Sequence, residues 1–185
     1  MKPDDYYNKF YSKSYNSVKG TNLRALVPLT LGFLESNNYK TEGLSPLAMP
    51  PNNALFGIKA NKGYKGKSKI FTTIDADANG NRYTNQAAFR IYDNYQQSFD
   101  DFIRFLKVNS NYEKAGLWKA QTAAEQFQAL ERAGYAATGY ANVLIPVYNN
   151  FVQIQKKLGT TKPTDDGNGS WKWYLLGATI VIISK

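Results

Sequence analysis

The chain contains no cysteine and no histidine, and this absence limits both its fold and its chemistry. Disulfide frameworks, cysteine-type zinc sites and thiol nucleophiles are excluded, so the fold depends on a hydrophobic core. With 185 residues, the chain has the length of about one domain, which is enough to bury such a core. Catalysis by Ser-His-Asp or Cys-His groups is also excluded. An enzyme of this composition therefore transfers protons through carboxylates, tyrosines, lysines or water.

Aromatic side chains and positive charge are both abundant. The chain has 14 Tyr, 10 Phe and 3 Trp, together 15% of its residues, and a net charge of +9. Tyrosine combines an apolar ring with a polar tip, which suits the binding of sugars; a simple compositional bias is the alternative. The charge is compatible with nucleic acid, a membrane surface or an acidic cell-wall polymer as partner, and does not choose among them.

The apolar periodicity predicts a mainly α-helical fold with one small β-hairpin. Helices are expected at residues 4–18, 22–37, 95–108, 120–133 and 140–157. In the second of these, Pro28 predicts either a later start or a kink. Residues 41–53 have the composition of a loop. Strands are expected at 69–75 and 87–92, on either side of Asn79-Gly80, a strong turn signal.

The two ends of the chain differ in character. The N-terminal residues are polar and do not resemble a signal peptide. Residues 159–170 have the composition of a linker, and residues 171–185 form a hydrophobic tail. The uncharged stretch from Trp173 to Ser184 is about 18 Å long as a helix, shorter than the ~30 Å of a bilayer core. We predict a domain at 1–158 and a tail that anchors to a membrane or a hydrophobic partner; packing of the tail against the domain is the alternative.

Glu35 is the candidate for an acid that cleaves a glycosidic bond. Such a reaction needs a carboxylic acid to protonate the leaving oxygen, and burial assists by raising its pKa. Glu35 follows Leu31 and Leu34 at the end of an apolar helix, just before a loop. An ordinary surface glutamate is the alternative interpretation of this position.

Seven short segments, taken together, resemble one known family. They are 34–36, 53–60, 64–67, 73–75, 89–92, 98–101 and 133–141. From about Tyr6 to Leu158 the chain resembles the endo-β-N-acetylglucosaminidase domain of bacterial autolysins and of the flagellar-rod peptidoglycan hydrolase. The resemblance implies an α+β, mainly α, lysozyme-like fold, with a helical lobe, a small β-hairpin lobe and a glycan groove between them. It also implies cleavage of peptidoglycan on the reducing side of N-acetylglucosamine, without a cofactor.

The resemblance assigns roles to single residues. Glu35 corresponds to the catalytic acid, and Tyr140 to a tyrosine that lines the cleft beside the reacting sugar. Asp75 corresponds to a hairpin carboxylate, usually Glu in the family, that stabilises charge or activates water. The substrate-binding residues implied are Phe56, Gly57, Tyr39, Asn53, Tyr64 and Asp77.

The chain also departs from the family's pattern after the acid. The residues that follow Glu35 are Ser-Asn-Asn-Tyr where the family has Ser-Gly-Trp-Gly, so Tyr39 is expected to replace the missing aromatic wall. Asp77 competes with Asp75 for the role of second carboxylate. Residues 75–80 superficially resemble a calcium loop, but its twelfth position is Gln86 rather than Glu, so we predict no metal site.

Several functional alternatives stay open at this level. A lytic transglycosylase also needs only one acid, and a substrate-assisted route uses the N-acetyl oxygen as nucleophile. A glycan-binding or structural module that has lost turnover is the alternative of a different class. No nucleic-acid motif is present. We expect action on the cell wall or in the periplasm, with carriage by a phage particle or an injection machine as one hypothesis.

Overall fold

The computed structural model describes residues 1–38, 41–76, 82–136 and 138–159, and for residues 74–76 and 82 it describes the backbone alone. The first two helices are α1 (Pro3–Ser17) and α2 (Leu26–Ser36). Helix α2 begins later than residue 22, so that Pro28 lies in its first turn, where a missing N–H costs no hydrogen bond. Helix α2 packs against α1 and against the last helix, α6 (Tyr140–Lys157).

Close packing around α2 requires a glycine at position 32. A Cβ atom there would lie 2.8 Å from the Tyr6 hydroxyl and 3.3 Å from the Phe56 ring. The neighbouring core is aromatic: the Tyr6 ring lies 5.2 Å from that of Phe33, and Phe33 lies 5.5 Å from Phe151 of α6. Burial of such rings contributes ~1.5–3 kcal/mol each, so α2 is fixed at the centre of the helical lobe.

Two β-hairpins follow α2. The first pairs β1 (Asn37–Asn38) with β2 (Gly43–Leu44), in a region where the sequence predicts only loop. The second pairs β3 (Ser68–Ala76) with β4 (Arg82–Arg90), and β4 begins five residues before the predicted strand. Pattern analysis misses the start of β4 because residues 83–86 are exposed, so this part of the strand shows no alternation of apolar and polar residues.

The other helices lie close to their predicted positions. Helix α3 (Tyr95–Val108) and α6 have the predicted bounds, and α5 (Ala123–Arg132) is shorter than predicted. The side chains of Asn94 and Thr122 cap α3 and α5, which explains where these two helices start. The five-residue helix α4 (Ser110–Lys114) is not anticipated, being too short to show a helical period.

A cluster of charged groups joins the base of the large hairpin to α3. We call it the Asp101 cluster; it consists of Asp101, Arg90, Tyr92 and Arg104. Asp101 Oδ2 accepts hydrogen bonds from Arg90 at 2.9 Å and from the Tyr92 hydroxyl at 2.8 Å, while Oδ1 accepts from Arg104 Nε at 3.0 Å. Asp101 and Arg90 are both buried, so the cluster fixes the hairpin to the helical lobe.

Candidate active site

Glu35 lies in the last turn of a helix that is otherwise buried. Ten of the eleven residues of α2 are buried, and Glu35 is the exception, being half-buried. Immediately after it, β1 pairs with β2, and the Ser45 amide donates to the Ser36 carbonyl at 2.7 Å. The small hairpin thereby turns the chain away from the end of α2. Glu35 therefore lies beside buried apolar residues of α2 and is itself still partly exposed to solvent.

Tyr140, 105 residues away in the sequence, lies against this carboxyl. Its hydroxyl donates to Glu35 Oε1 at 2.9 Å. Tyr140 is the first residue of α6, which packs on α2. The structure therefore brings together two of the three residues predicted to be catalytic.

A second tyrosine near Glu35, Tyr135, was not predicted as a site residue. The turn after α5 places it: Gly134 adopts φ +77°, its amide donates to the Glu131 carbonyl, and the Tyr135 amide donates to the Leu130 carbonyl. This is a Schellman motif, which needs glycine at that position. The Tyr135 ring packs edge-on against Phe102 at 5.8 Å. Gly134 before an aromatic residue is the signal that could have identified it.

The surroundings of Glu35 favour its protonated form. Desolvation raises the pKa of the Glu35 carboxyl from 4.5 to about 7, and the hydrogen bond from Tyr140 only partly opposes this by favouring the carboxylate. Burial and then the nearby Glu35 charge raise the pKa of Tyr135 well above its usual value. Within the described ranges, no lysine or arginine forms an ion pair with Glu35. The carboxyl can therefore hold and release a proton near neutral pH.

The predicted second carboxylate, Asp75, is described only by its backbone. It lies in β3 opposite Tyr83 of β4, seven residues beyond Ser68, or about 23 Å along an extended strand. Its role as the second carboxylate stays a prediction. Asp77, the other hairpin carboxylate, lies outside the described residues. So does Tyr39, the expected aromatic wall.

The other residues predicted to bind substrate are placed as follows. The Phe56 ring is 5% exposed and stacks on Phe102 at 4.1 Å, so it supports the surface from beneath, next to Gly57 with φ +54°. Tyr64 is half-buried and packs under the Arg90 guanidinium at 4.5 Å. Neither ring lies open as a flat platform for a sugar.

Asn53, another residue predicted to bind substrate, has its side-chain amide nitrogen bound within the protein. Its side chain is buried, and its amide nitrogen donates to the Tyr92 carbonyl at 2.9 Å and to the Pro51 carbonyl at 3.2 Å. Asn53 also adopts φ +52°, a conformation that asparagine tolerates better than most residues. These contacts give Asn53 a structural role in holding the loop, because its amide donors already have partners inside the protein.

The described part of the chain has neither a cluster of metal-ligating side chains nor a membrane-spanning helix. No group of three acidic residues there is arranged to hold a metal ion. In the same residues, no helix combines the length and hydropathy needed to cross a bilayer. The hydrophobic tail between Trp173 and Ser184 lies outside the described residues, so its anchoring role stays a prediction.

Comparison with known proteins identifies the family. Residues 12–153 match the glucosaminidase family described as mannosyl-glycoprotein endo-beta-N-acetylglucosaminidase. The chain belongs to this family. The match includes Glu35 and Tyr140 and ends inside α6, and it confirms the resemblance seen in the sequence.

Three relatives illustrate the similarity. The peptidoglycan hydrolase FlgJ of Vibrio parahaemolyticus is 37% identical over 108 residues, which cover 58% of this chain and 32% of that protein. A probable N-acetylmuramidase of Lactococcus lactis is 35% identical over 117 residues, covering 60% of this chain and 25% of that protein. The catalytic domain of the autolysin Auto from Listeria monocytogenes aligns with a TM-score of 0.68 at 26% identity, over 83% of this chain and 86% of that one.

These comparisons establish the fold, and they align with only part of the length of each curated relative. The mainly α, lysozyme-like fold predicted from the sequence is confirmed. The chain spans about a third or less of the length of the curated relatives it matches.

Proposed function

We propose that this protein is a peptidoglycan hydrolase that cleaves the β-1,4 bond on the reducing side of N-acetylglucosamine, with Glu35 as general acid. One observation carries the proposal: Glu35 lies at the end of a buried helix, its pKa is raised to about 7, and the Tyr140 hydroxyl contacts its carboxyl. Membership of the glucosaminidase family supports the choice of a glycosidic bond as substrate.

In this mechanism the protonated Glu35 carboxyl donates its proton to the bridging oxygen as the bond from that oxygen to C1 of N-acetylglucosamine breaks. Glu35 is then a carboxylate, and the Tyr140 hydroxyl, already at 2.9 Å, stabilises the new charge. Desolvation favours the acid before the step, and Tyr140 favours the carboxylate after it. The two influences together keep the pKa of Glu35 close to the pH at which transfer is efficient.

The positive charge that develops on the sugar needs a second group. Asp75 fills this role in our proposal, either by stabilising the charge or by activating water, with Asp77 as its competitor. In the substrate-assisted route, the N-acetyl oxygen attacks C1 instead, and Glu35 alone is essential. An Asp75→Asn variant that keeps full kcat would favour the substrate-assisted route or Asp77.

The test is digestion of purified sacculi, followed by borohydride reduction and mass spectrometry of the fragments. We expect reduced N-acetylglucosamine at the new ends for the wild type and no fragments for Glu35→Gln. Glu113→Gln is the matched control, since it makes the same change at an exposed position of α4, and it should behave as the wild type.

The other outcomes each identify an alternative. Reduced N-acetylmuramic acid ends would establish a muramidase, the activity named for the Lactococcus lactis relative. Anhydro ends, lighter by one water, would establish a lytic transglycosylase. Glycan binding by the wild type without any fragments would establish a binding module.

A further inference from the structure

The start of α6 is held by a side chain from another helix. Glu131 lies in the last turn of α5, and its Oε1 accepts a hydrogen bond from the Gly139 amide while its Oε2 accepts one from the Ala141 amide, both at 2.9 Å. These two amides flank Tyr140. A single carboxylate thus holds the backbone on both sides of the tyrosine that contacts Glu35.

Helix α6 has no cap of its own. The first amides of a helix have no partner within the helix, and a side chain at the N-cap normally satisfies one of them. Here the N-cap residue is Gly139, with φ +89° and no side chain. Glu131 supplies the missing acceptor, and its negative charge also matches the positive end of the α6 dipole.

We propose that Glu131 is a positioning residue that fixes the Tyr140 hydroxyl on the Glu35 carboxyl by holding the start of α6. This inference rests on the proposed function, since it adds a residue to the same site. Glu131 acts through the backbone amides on either side of Tyr140.

The charges around the site set the direction of the effect. The two backbone hydrogen bonds lower the pKa of Glu131, so it is ionised at neutral pH. Among the described residues, the titratable groups that face Glu35 are Tyr140 of α6 and Tyr135 of the turn before it. If Glu131 is removed, the start of α6 loosens, Glu35 loses its hydrogen bond from Tyr140, and the pKa of Glu35 rises further.

The first experiment measures amide hydrogen exchange in full-length Glu131→Ala. We expect exchange at Gly139 and Ala141 to accelerate about tenfold or more, because each loses its acceptor. Glu131→Gln keeps one oxygen acceptor and should give an intermediate rate. The matched control is Glu125→Ala on the same helix, whose carboxylate also accepts two backbone amides, from Gln121 and Thr122, far from Tyr140 in the sequence.

The second experiment measures the pH dependence of turnover on soluble glycan fragments. We expect Glu131→Ala to lower kcat roughly tenfold, the loss of about one hydrogen bond to a charged group, with a smaller change in KM. The alkaline limb of kcat should move to higher pH. Tyr140→Phe should give the same shift, and adding Glu131→Ala to it should cost little more. Glu125→Ala should leave the limb in place.

A purely structural role for Glu131 would lower stability and leave the alkaline limb of the variant where the wild type has it, and that result would overturn the inference. Its failure can be told apart from failure of the proposed function. If the wild type cleaves no glycan, the pKa of Glu35 measured by carboxyl NMR still reports the coupling, and an unchanged pKa in Glu131→Ala would again overturn it.

Discussion

Two carboxyl groups in this molecule, Glu35 and Asp101, are both partly or fully removed from water, yet their pKa values shift in opposite directions. Burial acts on both by raising the pKa. At Asp101, hydrogen bonds from Arg90, Tyr92 and Arg104 outweigh burial and lower its pKa. At Glu35, the hydrogen bond from Tyr140 does not outweigh burial, and the pKa rises to about 7.

The difference teaches that cations, and not burial, decide which of the two carboxyls can act as an acid. Asp101 lies between two arginines and serves to join the large hairpin to α3. Glu35 lies near Tyr135 and Tyr140, and the Tyr140 hydroxyl donates a hydrogen bond to it without adding a positive charge. We therefore expect substitutions at Asp101 to change stability and substitutions around Glu35 to change proton transfer.

The largest effect is expected from Asp101→Asn. Removing one partner of a buried ion pair leaves Arg90, which is 8% exposed, without its counter-charge, at a cost of ~3–5 kcal/mol. Thermal or urea unfolding measures this loss. Asp100→Asn, at the exposed neighbouring position, is the control and should cost less than ~0.5 kcal/mol. Equal losses of stability for both variants would contradict the claim that the ion pairs of Asp101 stabilise the fold.

Glu35→Gln should have the opposite effect on stability. Because the folded-state pKa of about 7 lies above the ordinary 4.5, the wild-type free energy of unfolding falls as pH rises from about 4.5 to about 7, and is level above that. Glutamine cannot ionise. The variant should therefore match the wild type near pH 4 and exceed it at pH 8, by about 3 kcal/mol at most. A difference that does not depend on pH would show that Glu35 titrates normally.

Tyr140→Phe is expected to have the smallest effect of the three substitutions, and it tests directly which form of Glu35 the hydrogen bond from Tyr140 favours. Loss of the hydroxyl removes a hydrogen bond that favours the Glu35 carboxylate, so we expect kcat to fall roughly tenfold. The pKa of Glu35 should rise, and the alkaline limb of kcat should move to higher pH. A limb that moves to lower pH would mean that Tyr140 stabilises the protonated acid instead.

Much of the fold is predictable from the sequence, since local signals determine it. Helices α3 and α6 have apolar periods long enough to define their bounds. Of the two outcomes that Pro28 predicts for α2, a later start or a kink, the structure shows the later start. The sequence fails where the signal is weak or non-local. The first half of β4 is polar because it is exposed, and its place is set by pairing with β3.

The candidate site is predictable only in part. Glu35 stands out as a carboxylate at the end of an apolar helix, and the family resemblance adds Tyr140. Pattern analysis does not show that these two side chains contact each other, because packing of α2 on α6 brings them together. Tyr135 is placed by the turn after α5, and Glu131, in the last turn of α5, reaches the start of α6; Gly134 and Gly139 are the local sequence signals for this arrangement.

The central claim is that Glu35 keeps its proton up to about neutral pH. The most direct measurement is an NMR titration of the Glu35 side-chain carboxyl carbon in the full-length protein, assigned by comparison with Glu35→Gln. We predict a midpoint near pH 7. A midpoint near 4.5, the ordinary value for glutamate, would contradict the account.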